Sequence, residues 1–135
     1  MTMTNIALDT NILIYSHDTA DLRKQDIARD LILKSPVVSA QVVSEYINVL
    51  RRIMQIPKDK LLALCAKTLE NTKIYPINIA VIKMAEQLVT RYDLQLFDSI
   101  IVASSIEAGC EVLYSEDMQH NLLIEQKLRI INPFV

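Results

Sequence analysis

Residues 94–118 read LQLFDSIIVASSIEAGCEVLYSEDM, a long helix signal followed directly by a strand signal. Residues 98–108 are nearly all apolar and predict a buried helix that stops at Gly109, the only glycine of the chain. The apolar run at 111–115 predicts a short strand. Helices that alternate with short strands are typical of α/β folds with a parallel sheet.

The same alternation extends along the rest of the chain. The other predicted strands are 6–8, 36–39, 73–77 and 129–132. The other predicted helices are 11–15, 20–33, 40–54, 57–70 and 79–92. No repeat or linker divides the chain. We therefore predict a single α/β domain over residues 1–135, a three-layer α/β/α arrangement around a short-stranded, mainly parallel central sheet.

The composition limits the class of protein. Of the 135 residues, 51% are hydrophobic, which excludes disorder and exceeds what a lone small domain hides, so we expect a homodimer or a bound partner. The net charge of -2 argues against a general nucleic-acid binder, but a local basic patch could still contact nucleic acid. The candidates for such a patch are Arg51 and Arg52, Lys58 and Lys60, and Arg23, Lys24 and Arg29.

Neither a zinc site nor a membrane segment is predicted. Cys65 and Cys110 lie far apart among apolar residues, so we expect buried, reduced thiols, and His17 and His120 are equally isolated. The opening MTMTNIALD has no basic region before its apolar residues, so no signal peptide is expected. Because no apolar run is long enough to cross a bilayer, we expect a cytoplasmic protein.

Three aspartates are predicted to meet at one edge of the sheet. Asp9 directly follows the first strand, Asp117 follows the fourth, and Asp98 begins the apolar helix. Active sites of open α/β sheets form beyond the carboxyl ends of the strands, where these side chains would converge. Each aspartate taken alone could instead cap a helix or occupy a turn, so the prediction depends on their combination.

Glu45 adds a fourth acid to this group. It shares a helical row with Val42 and Val49, and a carboxylate in an apolar row must be paired, protonated or bound to a cation. Carboxylates gathered without lysines repel one another, and the hard cations Mg²⁺ and Mn²⁺ suit such oxygen ligands. A metal-activated water could then attack a phosphodiester. The predicted ligands are Asp9, Glu45, Asp98 and Asp117.

At these residues the chain resembles the PIN-domain family, and within it the ribonuclease toxins of bacterial toxin–antitoxin pairs. The stretch ALDTNILIYS, residues 7–16, is similar to the first motif of the family, with Asp9 as the acid and Asn11 two positions later. The stretch SAQVVSEYINVL, residues 39–50, resembles the second motif through Glu45. Residues 94–118 resemble the third and fourth motifs through Asp98, Ser115 and Asp117.

The resemblance implies a Mg²⁺- or Mn²⁺-dependent endoribonuclease, commonly dimeric and silenced by an antitoxin protein whose tail occupies the acidic groove. It implies that the four acids bind the metal and are the catalytic residues, with Asn11 and Ser115 supporting them. Ser115 would orient a carboxylate or a water, and Glu116 is a weaker candidate. Close relatives would have Gly near Asn121, where Asn best replaces Gly in left-handed backbone.

Three alternatives stay open at this point. An aspartate-based phosphatase generally has a second Asp two residues after the nucleophile, where this chain has Asn11. A phospho-receiver signalling module usually has a Lys after its last strand, which residues 131–135 lack. A PIN scaffold that binds RNA or protein without cutting would not need all four acids.

Overall fold

A computed structural model describes residues 4–135 of the chain. Residues 1–3 lie outside the described residues. The predicted 1–135 domain and the N-terminal stretch MTMTNIALD both include them. Strands and helices alternate over most of the described range. The strands are β1 (Ile6–Leu8), β2 (Val37–Ser39), β3 (Lys73–Tyr75), β4 (Val112–Tyr114), β5 (Leu123–Ile124) and β6 (Leu128–Ile131). The helices are α1 (Thr10–Tyr15), α2 (Leu22–Ile32), α3 (Ala40–Met54), α4 (Lys58–Leu69), α5 (Ile79–Tyr92) and α6 (Leu96–Glu107).

The strands form one sheet in the order β3-β2-β1-β4-β6-β5. All pairings are parallel except that of β5 with β6, so the predicted mainly parallel α/β fold is confirmed. Ala7 in β1 pairs with Val37 of β2 on one side and with Leu113 of β4 on the other. The chain adds β2 and β3 on one side of β1 and later strands on the other, so the strand order reverses between β1 and β4. Ligands of such sheets bind at this switch point.

The core explains why the apolar segments form these elements. All three residues of β1 are buried, and Tyr46 and Leu50 of α3 are 0% and 1% exposed. Helix α6 is buried along most of its length, as its apolar sequence predicts, and it is followed by Gly109 at φ 80°. A positive φ favours glycine, so this residue lets the chain turn from α6 into β4.

The cysteines and His17 lie apart from any metal-like arrangement. Cys65 and Cys110 are buried free thiols, as expected, and burial raises the pKa of Cys110 to about 11. His17 Nε2 lies 2.6 Å from the hydroxyl oxygen of Tyr46, and burial, with the nearby Arg29, lowers the His17 pKa. Within residues 4–135, no helix is both long enough and apolar enough to span a membrane.

The apolar surplus expected from the composition is visible on the surface. Four large apolar side chains near the starts of α5 and α6 are half or more exposed: Ile79, Ile82, Leu96 and Phe97. One domain therefore leaves part of its apolar surface uncovered, while the predicted homodimer stays a prediction.

Candidate functional site

Asp9 lies at the carboxyl end of β1, where it caps α1. Its backbone N–H donates to the Tyr114 carbonyl oxygen at 2.9 Å, which fixes the residue beside β4. Its carboxylate accepts hydrogen bonds from the Thr10 N–H and the Ser115 hydroxyl, both at 2.7 Å. The side chain is buried, and this desolvation raises the pKa of Asp9 to about 6, although the two hydrogen bonds act to lower it. The charges of Asp98 and Asp117 raise it further.

Ser115 connects the first and fourth acids. It is fully buried just after β4, and its N–H donates to the Ile131 carbonyl oxygen, so β6 holds it in place. Its hydroxyl donates to Asp9 and accepts from the N–H groups of Asp117 and Met118 at 3.2 and 3.3 Å. One hydroxyl therefore orients the Asp9 carboxylate and closes the loop that carries Asp117.

Glu45 projects from α3, which begins directly after β2 because the Ser39 hydroxyl caps it by accepting from the Val42 N–H. The half-buried carboxylate accepts from the Thr10 hydroxyl at 2.6 Å and from the Gln41 amide at 2.8 Å. Both donors are neutral. Glu45 therefore has hydrogen-bond partners in its apolar row, and within residues 4–135 it forms no ion pair with a lysine or arginine.

Asn11 positions the loop after β4. Its side-chain amide donates to Asp117 Oδ2 at 3.0 Å, and its Oδ1 accepts from the Glu116 N–H at 3.3 Å. Asp117 itself is exposed. The predicted supporting residue thus connects α1 to the fourth acid, although its functional role stays a prediction.

Asp98 occupies the first turn of α6 and is half-buried. Burial raises its pKa, and the charges of Glu45 and Asp117 raise it further. Asp9 is influenced by Asp98 and Asp117 in the same way. The four acids therefore form one electrostatic group at the switch point, assembled from β1, α3, α6 and the loop after β4.

The four carboxylates lie near enough for their charges to raise the pKa of Asp9 and of Asp98, but they do not surround a common point. Among residues 4–135, no group of three or more His, Cys, Asp or Glu side chains is arranged to hold a metal ion as it stands. In the same range, the ion pairs are Lys24–Glu116 and Arg91–Glu125, so no basic side chain neutralises the four acids. Carboxylate oxygens with unrelieved like charge are the donor set that fits Mg²⁺ or Mn²⁺. Their role as ligands stays a prediction.

Glu116 has different surroundings from the four acids. Its carboxylate is half-buried, accepts from the Tyr15 hydroxyl and forms an ion pair with Lys24 at 2.6 Å. Although partial burial opposes it, the hydrogen bonds from Lys24 and Tyr15 lower the pKa of Glu116. Lys24 Nζ also lies 4.5 Å from the centroid of the Tyr15 ring. This ion pair leaves Glu116 a weaker candidate for metal binding.

A groove of about 560 Å³ lies between α1, α3 and the loop after β4. Its lining includes Glu45 and Asp117 as well as Thr10, Asn48 and Arg52. The contact from Thr10 to Glu45 was not predicted from the sequence, although Thr10 directly follows the first acid. The contact between Gln41 and Glu45 could have been predicted, because residues four positions apart on a helix are neighbours on its surface.

Fold and site together define a mainly parallel α/β domain with an acidic cluster at the switch point of its sheet. The PIN-domain model matches residues 6–122, and the chain belongs to the PIN-domain family. No curated protein matches the sequence.

Solved structures with the same fold come from several bacteria. A toxin–antitoxin complex from Klebsiella pneumoniae is 21% identical, with 96% of this chain and 98% of that chain covered and a TM-score of 0.67. FitAcB from Neisseria gonorrhoeae is 18% identical, with the same coverage and a TM-score of 0.70. VapC20 from Mycobacterium tuberculosis, a sarcin–ricin-loop-cleaving toxin, is 19% identical over 84% of this chain and 90% of that chain, with a TM-score of 0.65. At these identities the likeness concerns the fold.

Proposed function

We propose that this chain is a Mg²⁺- or Mn²⁺-dependent endoribonuclease and the toxin of a toxin–antitoxin pair. The observation that supports this most is the gathering of Asp9, Glu45, Asp98 and Asp117 at the switch point. Neighbouring acids raise the pKa of Asp9 and of Asp98, and none of the four forms an ion pair within residues 4–135. Membership of the PIN-domain family supports a nuclease. The structural neighbours described as toxin–antitoxin complexes support an antitoxin partner, and a homodimer belongs to the same proposal.

The four acids would hold the divalent cation, which supplies Lewis acidity toward the phosphodiester and toward the attacking water. The chain's own contribution is the placement of carboxylate oxygens. Ser115 keeps one oxygen of Asp9 oriented and favours its ionised form. Thr10 fixes Glu45, and Asn11 fixes Asp117, in each case through a hydrogen bond from a neutral donor.

The direct test is cleavage of a mixed-sequence RNA by the purified chain in Mn²⁺, in EDTA, and in EDTA followed by excess Mn²⁺. We expect cutting in Mn²⁺, loss in EDTA and recovery after Mn²⁺ is restored. RNA binding without cutting by the folded chain in Mn²⁺ would favour the non-cleaving scaffold. Stable phosphorylation of Asp9 by a small phosphodonor would favour the phosphatase or receiver alternative.

Thermal unfolding gives a second measurement that does not require activity. Millimolar Mn²⁺ should raise the melting temperature at pH 8 by roughly 3–8 °C, because an ion that binds only the folded state stabilises it. At pH 5 the rise should be much smaller, since Asp9, with a pKa of about 6, is then mostly protonated and cannot bind a cation. An equal rise at both pH values would contradict the proposed site.

A further inference from the structure

The groove beside the acids has one basic side chain among the described residues that line it, Arg52. The other basic candidates from the sequence face elsewhere or are already engaged. Lys24 pairs with Glu116, Arg23 donates to the Phe134 carbonyl oxygen, and Arg29 donates to the Ser16 carbonyl oxygen. The structure therefore selects Arg52 from a large set of lysines and arginines.

Arg52 lies on the same face of α3 as Glu45. The two residues are seven positions apart, or about 10.5 Å along the helix axis, and Asn48 and Val49 line the groove between them. Arg52 is exposed, and within residues 4–135 it forms neither an ion pair nor a side-chain hydrogen bond. Arg51 differs, because it donates to Asn48 Oδ1 at 2.7 Å and does not line the groove.

We propose that Arg52 binds a backbone phosphate of the RNA next to the phosphate that lies at the acids. This inference rests on the proposed function and adds the residue that positions the strand along α3. The guanidinium group matches a phosphate bidentately, and such contacts fix the register of a nucleic acid without reading its sequence.

The charge distribution favours a polyanion such as RNA over a protein side chain as the ligand. The acids repel every anion until a cation neutralises them, and Arg52 then provides the second positive point along the same groove. A strand that carries one charge per nucleotide can meet both points at once. Arg52 is therefore a positioning residue, and it does not touch the bond that is cut.

The test compares Arg52→Ala with Arg51→Ala, an adjacent exposed arginine on the same helix. Binding of a fluorescent 20-nucleotide single-stranded RNA is measured by anisotropy between 50 and 200 mM salt, with all four acids retained and Ca²⁺ in place of Mg²⁺, so that a cation is present at the acids while the probe stays intact. We expect Arg52→Ala to weaken binding about 5- to 10-fold at low salt and to reduce the slope of log K against log salt by about 0.7, the value for one phosphate on a single strand. Arg51→Ala should stay within about twofold.

Three further measurements separate positioning from a general structural effect. Arg52→Lys should keep the salt slope, because the charge remains, while losing part of the affinity with the bidentate geometry. In the cleaving chain, Arg52→Ala should raise KM and leave kcat nearly unchanged. Melting temperatures should match among the variants, since both arginines are exposed.

Equal effects of the two alanine variants, or an unchanged salt slope for Arg52→Ala, would overturn the assignment. If the natural ligand of Arg52 were a protein carboxylate instead of a phosphate, Arg52→Ala would leave the salt slope of RNA binding unchanged. If the parent chain cuts RNA but Arg52→Ala behaves like Arg51→Ala, this inference alone fails. If the folded parent cuts no RNA in Mn²⁺, the proposed function fails whatever Arg52 does.

Discussion

Replacing Asp9 with Asn is expected to lower RNA cleavage by about a thousandfold or more and to stabilise the cation-free protein at pH 8. A metal ion contributes several kcal/mol to transition-state stabilisation, and each 1.36 kcal/mol is a factor of about ten in rate. Asp9 is the most buried of the four acids, so no other acid can readily take its place. Asn keeps the shape of the side chain but binds a divalent cation poorly.

The gain in stability follows from the pKa of Asp9. The value of about 6 in the folded protein lies above the ordinary 3.8, so the folded state holds this proton more tightly than the unfolded state does. Stability is therefore lost as the pH rises from about 4 through 6, and the loss reaches about 3 kcal/mol at pH 8. Asn does not titrate, so the variant should avoid this loss and show little advantage at pH 4.

The matched control is Glu111→Gln. Glu111 is an exposed acid just before β4, at the opposite end of that strand from Ser115, so its removal changes the net charge equally but leaves the site intact. Cleavage rates and urea unfolding at pH 4, 6 and 8 would compare the two variants with the parent. Cleavage retained in Asp9→Asn, or equal stabilisation by both variants, would contradict the role given to Asp9.

Replacing Ser115 with Ala is expected to destabilise the protein by about 2–3 kcal/mol and to reduce cleavage by about 10- to 100-fold. The change removes a hydrogen bond to a buried carboxylate and the acceptor of the Asp117 and Met118 N–H groups. Loss of a residue that orients a metal ligand typically costs this much activity. Because the Ser115 hydrogen bond lowers the pKa of Asp9, its loss should also shift the acid limb of the cleavage profile to higher pH.

Ser105→Ala provides the control for a lost buried hydroxyl. Ser105 is 2% exposed, and its hydroxyl donates to the Ile101 carbonyl oxygen of its own helix and to no acid of the cluster. We expect a cost below about 1 kcal/mol and an unchanged pH profile. If the pH profile of cleavage by Ser115→Ala coincided with that of the parent, the role assigned to Ser115 would be refuted.

Local sequence signals account for the best-predicted elements. Helices α3 and α5 have the predicted bounds because Ser39 and Asn78 cap them by accepting from the N–H three residues later. Asn121 has φ 68°, so the left-handed turn expected there is present. The strand ends that carry Asp9 and Ser115 follow from short apolar runs in the same way.

Strand β5 was missed, and the turn that forms it explains why. Glu125 and Gln126 both have positive φ, and the Lys127 N–H donates to the Ile124 carbonyl oxygen. A hairpin turn with two positive φ values usually contains Asn-Gly, so its sequence signal is absent here. The two residues of β5 are also too few to show an alternating pattern. Pairing with β6 forms this strand.

Helix periodicity also predicts a buried position for Ile82 in α5, but this side chain is 50% exposed. The buried row runs through Val81, Ala85 and Leu88. Periodicity gives the spacing of a helix face but not its breadth, which depends on how α5 and α6 pack. The hydrogen-bond partners of the acids could not be predicted from local patterns either. Thr10 and Glu45, for example, are 35 positions apart, and only the folded chain brings them together.

The two outer strands of the sheet have consequences for self-association. Strand β3 has three residues, the first an exposed lysine, and β5 has only two. Short edges offer few free backbone groups to another molecule and so resist edge-to-edge growth into aggregates, and the lysine of β3 adds a charge at one of them. For a chain with so much apolar sequence this is a useful protection. It also means that two copies would associate more readily through helical surfaces than through a continuous intermolecular sheet.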